Sequence, residues 1–148
     1  MKRISLLTFI ICSTILSAQN TNELTSYFEN DKIKIEYKYQ DCVHIGGFDS
    51  EYVLFEITNK TDNEINISWK EQVWYNEICS NCEHESPESR KKIIVLSNTI
   101  YSTDCNNLKN ISIFSKFTEK LENMPGVNTI IPLTKFELNN LTITTNEN

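Results

Sequence analysis

Residues 32–40 read KIKIEYKYQ, and residues 52–69 read YVLFEITNKTDNEINISW. In the first stretch Ile33, Ile35, Tyr37 and Tyr39 alternate strictly with Lys32, Lys34, Glu36 and Lys38. A period of two with β-branched and aromatic residues on one side is the pattern of a half-buried strand. In the second stretch Val53, Phe55 and Ile57 share one face, and Ile65, Ile67 and Trp69 resume the alternation after the polar run at 59–63. The two halves of that stretch read as a β-hairpin.

Working outward, the strand that begins near Ile65 continues toward Tyr75, where Trp74 is out of phase with Trp69 and a bulge is expected. Ile93 to Leu96 is a short apolar run, followed by Ser97-Asn98 and a second run from Thr99 to Thr103. A second hairpin is expected there. Residues 111–117 fit a strand that gives way to a helical turn before Pro125-Gly126. From Ile130 to Thr144, Phe136 and Leu138 are out of phase with Leu141 and Ile143, so Asn139-Asn140 must absorb the change as a bulge or turn. Leu24, Tyr27 and Phe28 allow a short amphipathic helix or a loose leader over residues 20–31. Short strands between polar turns, with little room for crossover helices, predict an all-β fold over residues 32–148. The expected form is an antiparallel immunoglobulin-like β-sandwich of about seven strands.

The first 19 residues have two cations at Lys2 and Arg3, an apolar stretch from Ile4 to Leu16, and the small residues Ser17 and Ala18. This is the layout of a secretory signal peptide, with cleavage expected near Ala18 or Gln19. The apolar stretch is shorter than the roughly 20 residues of a membrane span, so no transmembrane span is expected in the mature chain. Ile11 precedes Cys12 where a lipoprotein peptidase requires a small residue, which argues against lipidation. The expected location is exported, periplasmic or secreted.

The chain carries 14 Lys and Arg against 20 Asp and Glu, a net charge of −6. Without Lys2 and Arg3 the balance is 12 against 20, or −8. Nucleic acid is not an expected partner, because tracking phosphates takes clustered cations.

Residues 51–69 (EYVLFEITNKTDNEINISW), 74–82 (WYNEICSNC), 134–143 (TKFELNNLTI) and the SAQN at 17–20 together resemble small uncharacterised exported proteins of Bacteroidota-type bacteria. The resemblance implies an immunoglobulin-like sandwich in the envelope or secreted fraction. It carries no active site to this chain.

Cys79 and Cys82 form a C-x-x-C, but no βαβ pattern surrounds them and the acidic neighbours Glu83 and Glu85 oppose a thiolate. With Cys42 and Cys105 they could form a four-thiolate zinc site, with His44 and His84 as spare ligands. Two structural disulfides are the favoured reading in an oxidising compartment. Strand parity puts all four cysteines at one pole; three connectivities are possible, with Cys42–Cys79 and Cys82–Cys105 preferred because they tie separate strands. Trp69 belongs to the core by its phase, whereas Trp74 and Tyr75 are candidates for contact with a sugar ring. Glu71 and Glu77 stand out no more than any other two acids of the chain as a glycosidase pair. Asn59, Asn66, Asn110 and Asn140 begin N-x-S/T sequons and read as turn and strand-surface residues. No catalytic signature or cofactor is called for. The expectation is a non-enzymatic binding or structural domain whose partner is a protein or glycan of the cell envelope, and the alternative is a zinc-binding or thiol-redox protein.

Overall fold

The computed structural model describes residues 23–44, 46–83, 86–108 and 111–145. The leader at 1–19 lies outside them, as do His84 and Asn110. Nine strands and two 3-10 turns are found among the described residues: β1 (Thr25–Glu29), β2 (Ile33–Cys42), β3 (Ser50–Asn59), β4 (Ile65–Tyr75), β5 (Ile78–Cys79), β6 (Arg90–Val95), β7 (Ile100–Ser102), β8 (Ile113–Phe117) and β9 (Leu133–Thr145). The short turns are Pro87–Ser89 and Leu121–Asn123. None of the described helices is long and apolar enough to cross a membrane.

The strands make two antiparallel sheets. In the first, the order is β1-β2-β3, and the far edge of β3 pairs with β8 along Ser50–Val53 and with β7 along Glu56–Thr58. In the second, β4 is central, with β9 on one side and β6 followed by β5 on the other. Ile33, Ile35, Val53, Phe55 and Ile57 of the first sheet share one core with Ile65, Ile67, Trp69, Val73, Ile93, Val95 and Leu138 of the second. These are the residues whose alternation marks a buried face. Burying each aliphatic or Phe side chain contributes about 1.5–3 kcal/mol.

Both expected hairpins are crossings between sheets. β3 and β4 do not pair; the chain leaves the first sheet at Asn59 and enters the second at Ile65. β6 and β7 likewise lie in different sheets, although the turn between them is where Ser97-Asn98 places it, with Asn98 at φ 52°. The two crossings are bonded together. The Asn59 side-chain amide donates to the carbonyls of Asn63, Val95 and Leu96 at 2.8, 3.1 and 2.9 Å, and its oxygen accepts from the Thr61 amide and hydroxyl, each at 2.9 Å. Asn98 donates through its backbone to the Thr61 carbonyl at 3.0 Å and through its side chain to Asp62 at 2.9 Å. Asn59, expected as a surface or turn residue, is therefore a buried polar pivot.

The short helix considered at residues 20–31 is strand β1 instead. The open edge of β2 offers backbone partners to Thr25–Glu29, and Asn30 shapes the turn by accepting from the amides of Lys32 and Ile33. A bulge at Tyr27 turns its ring onto Phe136 of β9, with centroids 5.6 Å apart. Its hydroxyl accepts the Leu138 amide at 2.8 Å, so β1 closes one side of the core. Tyr75 closes another by donating its hydroxyl to the Phe114 carbonyl of β8 at 2.7 Å.

The strand at 113–117 followed by the turn Leu121–Asn123 agrees with the reading of that segment. The phase change in β9 is a bulge: Asn139 faces Lys70 and Thr142 faces Ser68, so Asn140 and Leu141 together oppose Trp69. Asn140 has φ 55°, a left-handed backbone that asparagine tolerates well. The irregularity near Trp74 also lies in β9, where Thr134 is the extra residue, and β4 itself alternates without interruption.

Candidate functional site

With Ile65, Ile67, Trp69 and Val73 in the core, the even-numbered residues of β4 point away from it. Ser68, Lys70, Gln72 and Trp74 thus form the centre line of the second sheet's outer face. Register places Lys92 and Arg90 of β6 opposite Ser68 and Lys70. On the other side Asn139, Glu137 and Lys135 of β9 stand opposite Lys70, Gln72 and Trp74. A concavity of about 340 Å³ opens here, lined by Ser68, Trp69, Lys70, Arg90, Lys91, Lys92 and the bulge residue Asn140.

From the concavity a chain of polar contacts runs toward Trp74. The Asn139 amide donates to Gln72 Oε1 at 2.5 Å and to Glu137 Oε2 at 3.3 Å. Glu137 Oε1 pairs with Lys135 at 2.7 Å, and Lys135 Nζ lies 4.5 Å from the centre of the Trp74 ring. The hydrogen bond from Lys135, and then that from Asn139, hold the Glu137 carboxyl below its usual range.

The three aromatic residues Trp69, Trp74 and Tyr75 are divided between faces. Trp69 is buried in the core, Tyr75 packs against it, and Trp74 stands half-buried on the outer face. Tyr75 is therefore a strut between sheets rather than a companion to Trp74, and burial raises its hydroxyl's pKa, with Glu71 and Tyr52 adding to the effect.

The cysteines form the pairs Cys42–Cys105 and Cys79–Cys82, with Cα separations of 5.4 and 5.7 Å. This is not the preferred connectivity. Cys42, at the end of β2, meets the segment after β7, whereas Cys79, at the end of the hairpin β4–β5, meets Cys82 across the bend at Ser80-Asn81. That hairpin has a two-residue turn, Asn76-Glu77, with φ 48° and 67°. Pairing occupies the sulfurs that a four-thiolate site would use, and among the described residues no three His, Cys, Asp or Glu converge to hold a metal ion. His44 sits in the loop before β3; its amide donates to Asp49 at 3.2 Å and its ring meets Tyr52 edge-on, with centroids 5.8 Å apart. His84 lies outside the described residues.

Asn81, inside the C-x-x-C, is the residue of that motif whose side chain serves the sheet. Its oxygen accepts the Val73 amide and its nitrogen donates to the Glu71 carbonyl, both at 3.0 Å.

Glu71, which stands out no more than any other acid in the sequence, is set apart by its surroundings. It falls in the core phase between Trp69 and Val73, and that position was the available signal. One of its carboxylate oxygens, Oε2, is buried without a hydrogen-bond partner, and burial pushes its pKa up to about 7 while Lys91 pulls it back. Glu77 is exposed in the Asn76-Glu77 turn.

Comparison of the chain with protein-family models, curated proteins and solved structures returns no match.

Proposed function

We propose that this chain is an exported, disulfide-linked β-sandwich of immunoglobulin-like type, acting as a non-enzymatic binding module of the cell envelope or secreted fraction. The cationic start, short apolar run and small residues of 1–19 support export. Two cysteine pairs at bonding distance suit an oxidising compartment. Two antiparallel sheets joined by two adjacent crossings support the sandwich.

One observation carries the binding reading: a concavity lined by Ser68, Lys70, Arg90, Lys92 and Asn140 opens on the second sheet, and the polar side chains of Asn139, Gln72, Glu137 and Lys135 lead from it to the half-buried indole of Trp74. The module's partner is a protein or glycan of the envelope.

Expression of the whole chain in a bacterial host tests the reading. The expected product is found outside the cytoplasm, begins at Gln19 or Asn20, and contains two disulfides by intact mass before and after reduction. A product that begins at Met1 and stays in the cytoplasm would refute export. Tryptophan emission that responds to no envelope glycan or protein would refute binding at Trp74.

A further inference from the structure

We propose that the pole where the connections 43–49, 76–77 and 118–132 meet docks a cationic polypeptide segment through apolar anchors. The proposal rests on the binding-module reading above but uses a surface separate from the concavity. β2 and β8 end and β3 begins at this pole, with Cys42 and Phe117 both opposite Ser50. β4 ends and β9 begins there, with Tyr75 opposite Leu133. Hydrogen bonds join the three connections. The Asp49 carbonyl accepts the amides of Thr118 and Glu119 at 2.8 and 3.1 Å, and the Pro132 carbonyl accepts the Asn76 amide at 3.2 Å. The Glu77 amide donates to the Thr134 hydroxyl at 3.0 Å, and the Phe48 and Phe117 rings lie 5.9 Å apart. Buried Met124 anchors the long connection, whose regular structure is the turn Leu121–Asn123. A connection of that length with so little regular structure is a common carrier of function, and one fixed in advance loses little entropy on binding.

Of the nine large apolar side chains exposed among the described residues, five lie at this pole: Val43, Phe48, Ile78, Leu121 and Ile131. Val43 is 80% exposed and Ile78 70%. Scattered singly such residues need no explanation, but five gathered at one end among polar neighbours mark a protein contact. The surrounding charge selects the partner. The three connections carry the acids Asp49, Glu77, Glu119 and Glu122 against one cation, Lys120, which lies 3.7 Å from Glu122. On the adjoining strands β8 and β9, Lys116 pairs with Glu51 at 3.5 Å and Lys135 with Glu137 at 2.7 Å. The pole is therefore negative, and a partner of opposite sign is favoured in both encounter and specificity. A two-fold contact with a second copy would set these acids against one another, and an anionic lipid surface would meet them with like charge. A segment that mixes lysine or arginine with apolar residues satisfies both the anchors and the charge.

Calorimetric titration of the oxidised protein tests this at about 0.15 M salt, where long-range attraction is screened. The probes are three short peptides, alternating lysine with leucine, glutamate with leucine, and lysine with serine. The lysine–leucine peptide is expected to bind more tightly than the other two. Its affinity should fall tenfold or more in the variant Ile78→Ser with Ile131→Ser, and threefold or more in Glu77→Gln with Glu122→Gln. It should be unchanged in Ile94→Ser with Ile100→Ser, which alters exposed apolar residues at the opposite end. The circular dichroism of each variant should match the parent. Equal binding of the lysine–serine peptide, or equal affinity in every variant, would reduce the effect to net charge and overturn the docking surface. Self-association in sedimentation that disappears in Ile78→Ser with Ile131→Ser would make a second copy the occupant and overturn the cationic partner. Tighter attachment to phosphatidylglycerol vesicles than to the peptide would overturn it in favour of a membrane. Silence from the lysine–leucine peptide would overturn the docking surface alone, because the emission of Trp74 with envelope glycans or proteins tests the binding module separately.

Discussion

The side-chain oxygen of Asn81 accepts the backbone amide of Val73 at 3.0 Å, while its nitrogen donates to the carbonyl of Glu71 at 3.0 Å. One asparagine thus occupies the gap along β4 between the end of its pairing with β6 at Lys70 and the start of its pairing with β5 at Trp74. The Cys79–Cys82 bond closes the loop that presents it. Asn81→Ala leaves both backbone groups without this partner and should cost about 1–3 kcal/mol. Hydrogen exchange at the Val73 amide should accelerate far more than at Ile67. Equal protection of Val73 in variant and parent would show that the side chain is dispensable.

Asn59 joins the two crossings between the sheets through bonds to Asn63, Val95 and Leu96. Asn59→Ala should lower stability by roughly 2–4 kcal/mol, because it removes a buried donor group from three carbonyls at once. Asn59→Asp should be worse at neutral pH, since it places a carboxylate against those carbonyls. Urea denaturation ranks the variants, and an Asp variant as stable as the parent would contradict this role.

The disulfides should contribute unequally. Cys42–Cys105 spans a sequence separation of 63 and Cys79–Cys82 one of 3. Loop-closure entropy assigns about 4 kcal/mol to the long link and about 2 kcal/mol to the short one. Paired Cys→Ser variants measured by denaturation should show the larger loss for residues 42 and 105. The reverse order would mean that the short link acts chiefly by holding Asn81.

Burial pushes the Glu71 pKa from 4.5 up to about 7. The native state therefore holds a proton that the unfolded chain releases. The associated stability is complete below pH 4.5 and is lost as pH rises through about 7. The loss is on the order of 2–3 kcal/mol by pH 8.5, with Lys91 already opposing it. Glu71→Gln should remove this component, so that variant and parent diverge between pH 5 and pH 8.5. Parallel urea midpoints across that range would exclude the mechanism.

The strands and their faces were legible locally. Ile33, Ile35, Ile57, Ile65, Ile67 and Trp69 are buried where alternation placed them, and the conflict between Leu138 and Leu141 located the β9 bulge. At Tyr27 the same local reading failed, because helical spacing of three apolar residues competed with a backbone edge that only folded β2 supplies. The outer face was legible only as Trp74. Lys70, Arg90 and Lys92 are not one cluster until β4 and β6 pair.

Period-two patterning is a property of each segment, so the sequence by itself determined that the chain makes strands, which side of each is apolar, and where the turns at 59–63 and 97–98 fall. Sheet membership belongs to pairs of distant segments. A short polar connection can turn back beside its own strand or cross to a sheet about 10 Å away, and the strand sequence is compatible with either. Tertiary structure decided for crossing, through the bonds of Asn59 and the burial of both inner faces in one core. The passage of β7 into the first sheet carried Cys105 to Cys42, whereas Cys79 meets Cys82 across the local bend at Ser80-Asn81.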